Sequence, residues 1–383
     1  MVDIKEEFQK RFQKKPEHIF FSPGRVNLIG EHIDYNGGKV MPCAISLGTY
    51  LAVSKNADKV FRFQCLNFPE TAELHLQNSY SKTGKEWFNF PLGIIDYVIR
   101  EGHSISGLDM LVYGNLPIGA GLSSSASIEV LTAYALSELF QLNISRLDIA
   151  ILSKKVENEF IGMNCGIMDQ FAVTFGKKHK AILLNCDTLD YDLLPFEIND
   201  YVLAIINTNK SRKLTDSKYN ERFAECGVVL KALKKEIEAK NLCDVSLQDF
   251  HSHKHLINDA VLEKRALHVI SENFRVNEAA KVLKAGELEE FGRLMYESHL
   301  SLKELYEVSG TELDAIVEFC KTYDGCIGAR MTGAGFGGCA IALVRKEKMD
   351  HFTEGLTAYY KSRIGYDPTV FASEIGDGVR EVF

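Results

Sequence analysis

Apolar and polar positions along the chain switch between two periods. Ile4, Phe8 and Phe12 recur every fourth residue, which predicts a short opening helix with one buried face. Short apolar runs at 18–22, 40–45, 49–54 and 60–66 read as strands. Helical spacing predicts helices over 87–100, 124–140 and 146–160, with a strand at 108–113. Further strands are expected at 181–185 and 201–207. The second half is richer in helix, with segments at 216–240, 257–274, 288–305, 311–321 and 346–362. Strands at 326–331, 339–344 and 369–373 complete the pattern. This mixture lacks the regular strand–helix alternation of a doubly wound sheet, so an α+β fold is expected. A change of texture near 195–200 suggests two domains, 1–197 and 198–383. There is no repeat, low-complexity tract or Pro/Gly/Ser linker.

Composition narrows the class only a little. The 383 residues are 46% hydrophobic and 25% charged, an ordinary globular balance. A net charge of −8 argues against a nucleic-acid partner. It leaves room for a phosphate ligand, which backbone N–H groups and a divalent cation can hold. Nine cysteines, with no C-x-x-C pair, point to reduced thiols and a cytoplasmic protein. Residues 1–15 lack an apolar run, so no signal peptide is expected. Nothing approaches the roughly 20 apolar residues of a membrane helix, so no membrane partner is expected.

Candidate chemistry is concentrated in four stretches. Arg25-Val26-Asn27-Leu28-Ile29-Gly30-Glu31-His32-Ile33-Asp34 packs a cation, a turn and three polar groups closely together. Carboxylates accept from two neighbouring hydroxyls at once, so Glu31 and Asp34 suit a polyhydroxylated ligand, with His32 able to donate or accept. A polar hairpin turn or a His-x-Asp metal site are the competing readings. The second stretch, Gly119-Ala120-Gly121-Leu122-Ser123-Ser124-Ser125, joins a predicted strand to a predicted helix. Glycines there allow close backbone approach, and the helix N-terminus attracts anions. The alternative is a glycine turn with serine caps. It is not a Walker A loop, because no Gly-Lys-Ser/Thr is present.

The third stretch holds Glu157 and, twelve residues later, Asp169 within Cys165-Gly166-Ile167-Met168-Asp169-Gln170. Glu157 with Ser125 offers the oxygen donors Mg²⁺ prefers, while Asp169 could orient or deprotonate a hydroxyl. The bland alternatives are a helix salt bridge of Glu157 with Lys154 and a helix cap at Asp169. The fourth stretch, Arg330-Met331-Thr332-Gly333-Ala334-Gly335-Phe336-Gly337-Gly338, is a second glycine-rich loop between predicted strands. Tyr219 reads locally as a helix-face aromatic, Trp87 as a packing residue, and His251, His253 and His255 as a solvated polar stretch.

Together these stretches resemble the galactokinases, the sugar branch of the GHMP small-molecule kinases. The 25–38 run resembles that branch's N-terminal signature; the two glycine-rich loops resemble the second and third GHMP motifs. The resemblance implies an N-terminal ribosomal-protein-S5-like domain and a C-terminal ferredoxin-like domain, with the active site between them. It implies ATP-dependent phosphorylation of the C1 hydroxyl of α-D-galactose by a monomer. Asp169 and Arg25 would be catalytic. Glu31, His32, Asp34, Gly166 and Tyr219 would bind the sugar. Gly119 to Ser125 would hold ATP, and Ser125 with Glu157 would hold Mg²⁺. The Ser-Ala pair within 123–127 favours an active enzyme over a non-catalytic sensor. A kinase of N-acetylgalactosamine or arabinose is the nearer rival. The chain departs from the family pattern at Cys65, at Val173, and at 210–214, where a frequent histidine is missing.

Overall fold

The computed structural model describes residues 2–117, 119–163, 165–210 and 215–382. Ile118, just before the second stretch, and 211–214 of the histidine-lacking segment lie outside the described residues. The chain begins with α1 (Ile4–Phe12), capped by the Asp3 carboxylate and anchored by buried Ile4 and Phe8. Then come β1 (His18–Asn27), β2 (Lys39–Val40), β3 (Pro42–Lys55), β4 (Val60–Cys65) and β5 (Ala72–His75). α2 (Asn89–Arg100), β6 (Leu108–Gly114), α3 (Ser124–Phe140), α4 (Arg146–Lys155) and α5 (Met168–Phe175) follow. A π turn, Val156–Ile161, extends α4. β7 (Lys180–Asn185), β8 (Tyr191–Pro195) and β9 (Tyr201–Asn207) lead to α6 (Thr215–Leu233), α7 (Leu247–His253) and α8 (Ala260–Ala285). α9 (Leu288–Ser301) runs into a second π turn, Leu302–Tyr306. α10 (Thr311–Thr322), β10 (Cys326–Thr332), β11 (Cys339–Arg345), α11 (Met349–Ile364), β12 (Thr369–Ser373) and β13 (Arg380–Glu381) complete the chain.

These strands form three sheets. The first has the order β13-β1-β3-β6-β4-β5, antiparallel except where β4 runs parallel to β6. The second is antiparallel, in the order β10-β11-β9-β12. The third, β2-β7-β8, is small. α3 and α5 pack against β1 and β3, while α9 and α10 pack on β10. The α+β expectation holds. The last strand returns across the whole chain to pair with β1, matching Phe20 with Glu381.

Two local features position the site. Within β1 the register with β3 shifts between Pro23 and Arg25. Such a bulge re-aims the side chain that follows it. Gly24 sits in the bulge because a Cβ there would lie 2.7 Å from the Leu122 carbonyl oxygen. The second glycine–serine stretch therefore lies directly on β1, and the Arg25 amide donates to that same carbonyl at 3.2 Å. The other feature is α3. Its pattern predicts one apolar face, yet Ile128, Glu129, Val130, Leu131, Thr132 and Ala133 are all buried in succession. A helix enclosed on every side holds its N-terminus rigidly.

Candidate active site

Arg25 and Asp169 are 144 residues apart and meet in a two-pronged ion pair. Arg25 Nε donates to Asp169 Oδ1 at 2.7 Å, and Nη2 donates to Oδ2 at 2.6 Å. Arg25 Nη1 reaches the Gly121 carbonyl at 2.8 Å, so one guanidinium ties β1 to α5 and to the glycine–serine loop. Burial opposes the Arg25 charge, but Asp169 more than restores it and raises its pKa. Asp169 lies in the first turn of α5 and is not its cap residue, so the capping alternative does not describe it.

Ser123 stands at the cap position of α3 but makes no capping bond. It adopts left-handed backbone, φ 62°, and gives its hydroxyl to Asp169 Oδ2 at 2.6 Å. The first N–H groups of a 17-residue helix are thus not satisfied by that side chain, as an anion site requires. Gly119 and Gly121 also have positive φ, 70° and 76°. Ser124 and Ser125 line a cavity of about 370 Å³ together with Cys65, Trp87, Phe90 and Ile128.

Glu157 lies in the π turn after α4 and is 5% exposed. Gln170 Nε2 donates to its Oε2 at 2.5 Å. No ion pair among the described residues joins it to Lys154. Burial pushes its carboxyl up to about 7; the Ser125 hydroxyl partly offsets this, and the Asp169 charge adds to it. Two oxygen donors, one a carboxylate buried without a cation, fit a hard divalent ion that takes its remaining ligands from phosphate and water.

A second cavity, of about 430 Å³, is lined by Asp34, Tyr35, Lys154, Gly166, Tyr219 and neighbours. Asp34 approaches Gly166 so closely that a Cβ there would lie 2.0 Å from its Oδ2, which explains the glycine. Burial, then the charges of Asp169 and Glu31, push Asp34 up to about 7. The Tyr219 ring stands 5.6 Å from His32 and 5.3 Å from Tyr35, centroid to centroid. Glu31 accepts from Arg330 Nη1 at 2.9 Å, and both side chains are buried. Burial raises the Glu31 carboxyl, against the pull of Arg330 and Arg25. Both His32 ring nitrogens have protein partners: Nδ1 with the Tyr35 hydroxyl at 2.9 Å, and Nε2 with the Ala334 carbonyl at 3.2 Å.

The structure thus brings the four stretches to one place. The fourth stretch's backbone even touches the second stretch, since a Cβ on Gly333 would lie 3.4 Å from the Gly121 carbonyl. His251 and His253 lie on α7 and His255 on a following turn, apart from this site. Sequence reasoning gave no individual role to Arg330, Glu129 or Glu272. Arg330 carried a legible signal, a cation inside an apolar strand. Glu129 carried none, because it lies among the residues of a well-formed helix. Glu272 on α8 is fully buried and accepts from the Gly30 amide at 3.0 Å and the Ser298 hydroxyl at 2.5 Å.

A strand–loop–helix phosphate cradle beside a part-buried Arg–Asp pair, on this pairing of sheets, defines a small-molecule kinase of the GHMP class. Residues 89–177 match "GHMP kinases N terminal domain" and 279–362 match "GHMP kinases C terminal". A mevalonate kinase structure, 23% identical, shares the fold with a TM-score of 0.71 over 94% of this chain and 99% of its own. Within that class the chain belongs to the galactokinase family. Residues 6–55 match "Galactokinase galactose-binding signature". The galactokinase of Clostridium tetani (strain Massachusetts / E88) is 49% identical over 381 residues, covering 99% of this chain and 97% of the relative. That of Streptococcus thermophilus (strain ATCC BAA-491 / LMD-9) is 47% identical, covering 98% of each. The crystal structure of Lactococcus lactis galactokinase complexed with galactose superimposes with a TM-score of 0.95 at 44% identity, covering 99% of both chains. Membership of a kinase family implies ATP as the phosphoryl donor. No helix among the described residues is long and apolar enough to cross a membrane.

Proposed function

We propose that the chain transfers the γ-phosphoryl group of ATP to the C1 hydroxyl of α-D-galactose, giving galactose 1-phosphate and ADP. The observation that carries the reading is the Arg25–Asp169 pair, bonded to Ser123 beside one cavity and three residues from Gly166 of the other. The sugar occupies the cavity with Asp34, Gly166 and Tyr219; Glu31, backed by Arg330, shapes its wall. Carboxylates fixed for one hydroxyl arrangement leave an epimer's groups unpaired, which is a strong basis for discrimination.

The base and ribose occupy the cavity with Cys65 and Trp87, and the phosphates run along Gly119 to Ser125 to the start of α3. Asp169 accepts the hydrogen of the C1 hydroxyl. As the new oxygen–phosphorus bond forms and the bond to the ADP oxygen breaks, that proton passes to the carboxylate. Arg25 holds the Asp169 carboxylate in place and offsets charge on the transferring group. Glu157 and Ser125 would hold Mg²⁺, which supplies neutralisation of the phosphate charge. We read the chain as two lobes, 1–197 and 198–383, with the site between them. Nine free thiols support a cytoplasmic setting.

The test is ADP release with a panel of sugars. Galactose should exceed glucose, N-acetylgalactosamine and arabinose in kcat/KM by at least about 100-fold. Equal or faster turnover of another sugar would reassign the substrate.

A further inference from the structure

We infer that His32 acts through a directed chain of hydrogen bonds, and that Tyr35 and Tyr306 are positioning residues for the sugar motif. The inference rests on the galactose-kinase reading above.

The direction of the chain follows from one acceptor. The Ala334 carbonyl cannot donate, so His32 Nε2 carries the hydrogen and donates to it. Burial, reinforced by nearby His268, pushes the imidazole down to about 3, so the ring is neutral at pH 7. Nδ1 is then an acceptor and takes the single hydrogen of the Tyr35 hydroxyl at 2.9 Å. The Tyr35 oxygen must accept in turn, from the Tyr306 hydroxyl at 2.8 Å. Tyr306 has used its hydrogen, so its oxygen accepts from the Cys226 thiol at 3.1 Å. The order Cys226→Tyr306→Tyr35→His32→Ala334 is the only one that, with a neutral ring, places one hydrogen in each of the four contacts.

The chain is also mechanically anchored. Tyr306 is fully buried, with its ring 4.9 Å from His32 and 4.5 Å from His268. It closes the second π turn, whose carbonyls are clamped by Arg222 Nε at 2.8 Å on Tyr306 and Arg265 Nη1 at 2.6 Å on Leu305. The chain's other end is the second glycine-rich loop, at Ala334. Two further bonds stitch that loop's strand to the sugar motif: Asn27 N–H to Thr332 Oγ1 at 2.9 Å, and Arg330 Nη1 to the Asn27 carbonyl at 2.8 Å. His32 itself sits in left-handed backbone, φ 62°, between Glu31 and Asp34. Its ring therefore fixes where those two carboxylates stand relative to the loop that covers the phosphates. With both nitrogens committed, the imidazole is a latch and the carboxylates are the clamps.

The experiment uses the full chain and the variants Tyr35→Phe, Tyr306→Phe, their double, and His32→Gln. Tyr306→Phe keeps the buried ring and removes only the hydroxyl. Tyr35→Phe should raise the galactose KM about tenfold, with kcat and the ATP KM within about twofold, and Tyr306→Phe about threefold with the same split. The double should fall short of the product of the singles, because both act through one chain. With 2-, 3- and 6-deoxygalactose, His32→Gln should scale all penalties alike. A penalty erased at one hydroxyl only would make His32 a direct sugar ligand and overturn the inference. So would tyrosine variants that lower the melting temperature while leaving the galactose KM unchanged. If the parent chain does not phosphorylate galactose at all, the functional reading fails instead.

Discussion

Asp34 and Asp169 begin as the same side chain and end in opposite electrostatic situations. Asp169 receives three charge-assisted or hydroxyl hydrogen bonds, from Arg25 and Ser123. Asp34 is half-buried with no ion pair among the described residues, and two neighbouring carboxylates repel its charge. Asp169→Asn keeps the shape and removes the proton acceptor. It should lower kcat about 10²- to 10⁴-fold while the galactose Kd, read by calorimetry, stays within about threefold. Near-normal turnover would remove Asp169 from the chemistry. For Asp34, the unfolded carboxyl ionises near 3.8 but the folded one near 7. Between those values the folded state binds the extra proton, so stability falls as pH rises, by about 1.4 kcal/mol per unit of pKa difference. The melting temperature of the ligand-free protein should therefore drop between pH 5 and pH 7.5. Asp34→Asn should flatten that drop; an unchanged slope would contradict the account. At this scale the chain was legible for residue types and silent on partners. The sequence offered Glu31 as a sugar clamp but not its buried Arg330, whose loss would leave a charge uncompensated at a cost of about 3–5 kcal/mol.

Helices and strands rich in buried apolar residues were the legible ones. α3 and β9 fall on their expected bounds, 124–140 and 201–207. Of the four expected strands of the first fifth, those at 18–22 and 60–66 are found as β1 and β4. The runs at 40–45 and 49–54 belong almost entirely to one 14-residue strand, β3, because Gly48 packs flat against the Ser22 carbonyl and lets the strand continue. β5 and β8 went unpredicted: both are edge strands with mostly exposed or half-exposed residues, which leaves no apolar run to read. α7 turned a supposed polar loop into a helix because Ser246 caps it and Phe250 buries one side. The site depends on two elements in ways that spacing cannot reveal. α8 holds the first motif through Glu272, whose carboxyl lies near 2 because Arg275 and its neighbours outweigh the effect of burial. Glu272→Ala strands the Gly30 amide, the Ser298 hydroxyl and Arg275, and should cost about 3 kcal/mol in urea unfolding. The π turn after α4 sets Glu157 beside Ser125. Glu157→Ala should raise the Mg²⁺ concentration for half-maximal rate at least about tenfold. An unchanged Mg²⁺ requirement would leave Glu157 a purely structural acid.

Across the whole molecule, residues from Arg25 to Ala334 converge on one site. The return of β13 to β1 and the stitching of Asn27, Glu31 and His32 to Arg330, Thr332 and Ala334 make the two ends of the sequence one structure around the site. Motif order announced which pieces meet. It could not announce the cross-links, because those depend on side chains about 300 residues apart. The direct test of the central claim is to incubate the full chain with ATP, Mg²⁺ and galactose and identify the product by phosphorus and proton NMR. The account predicts one phosphate ester, coupled to the α-anomeric proton, formed in step with ADP. ADP without a sugar ester, or an ester at any other carbon, would contradict it.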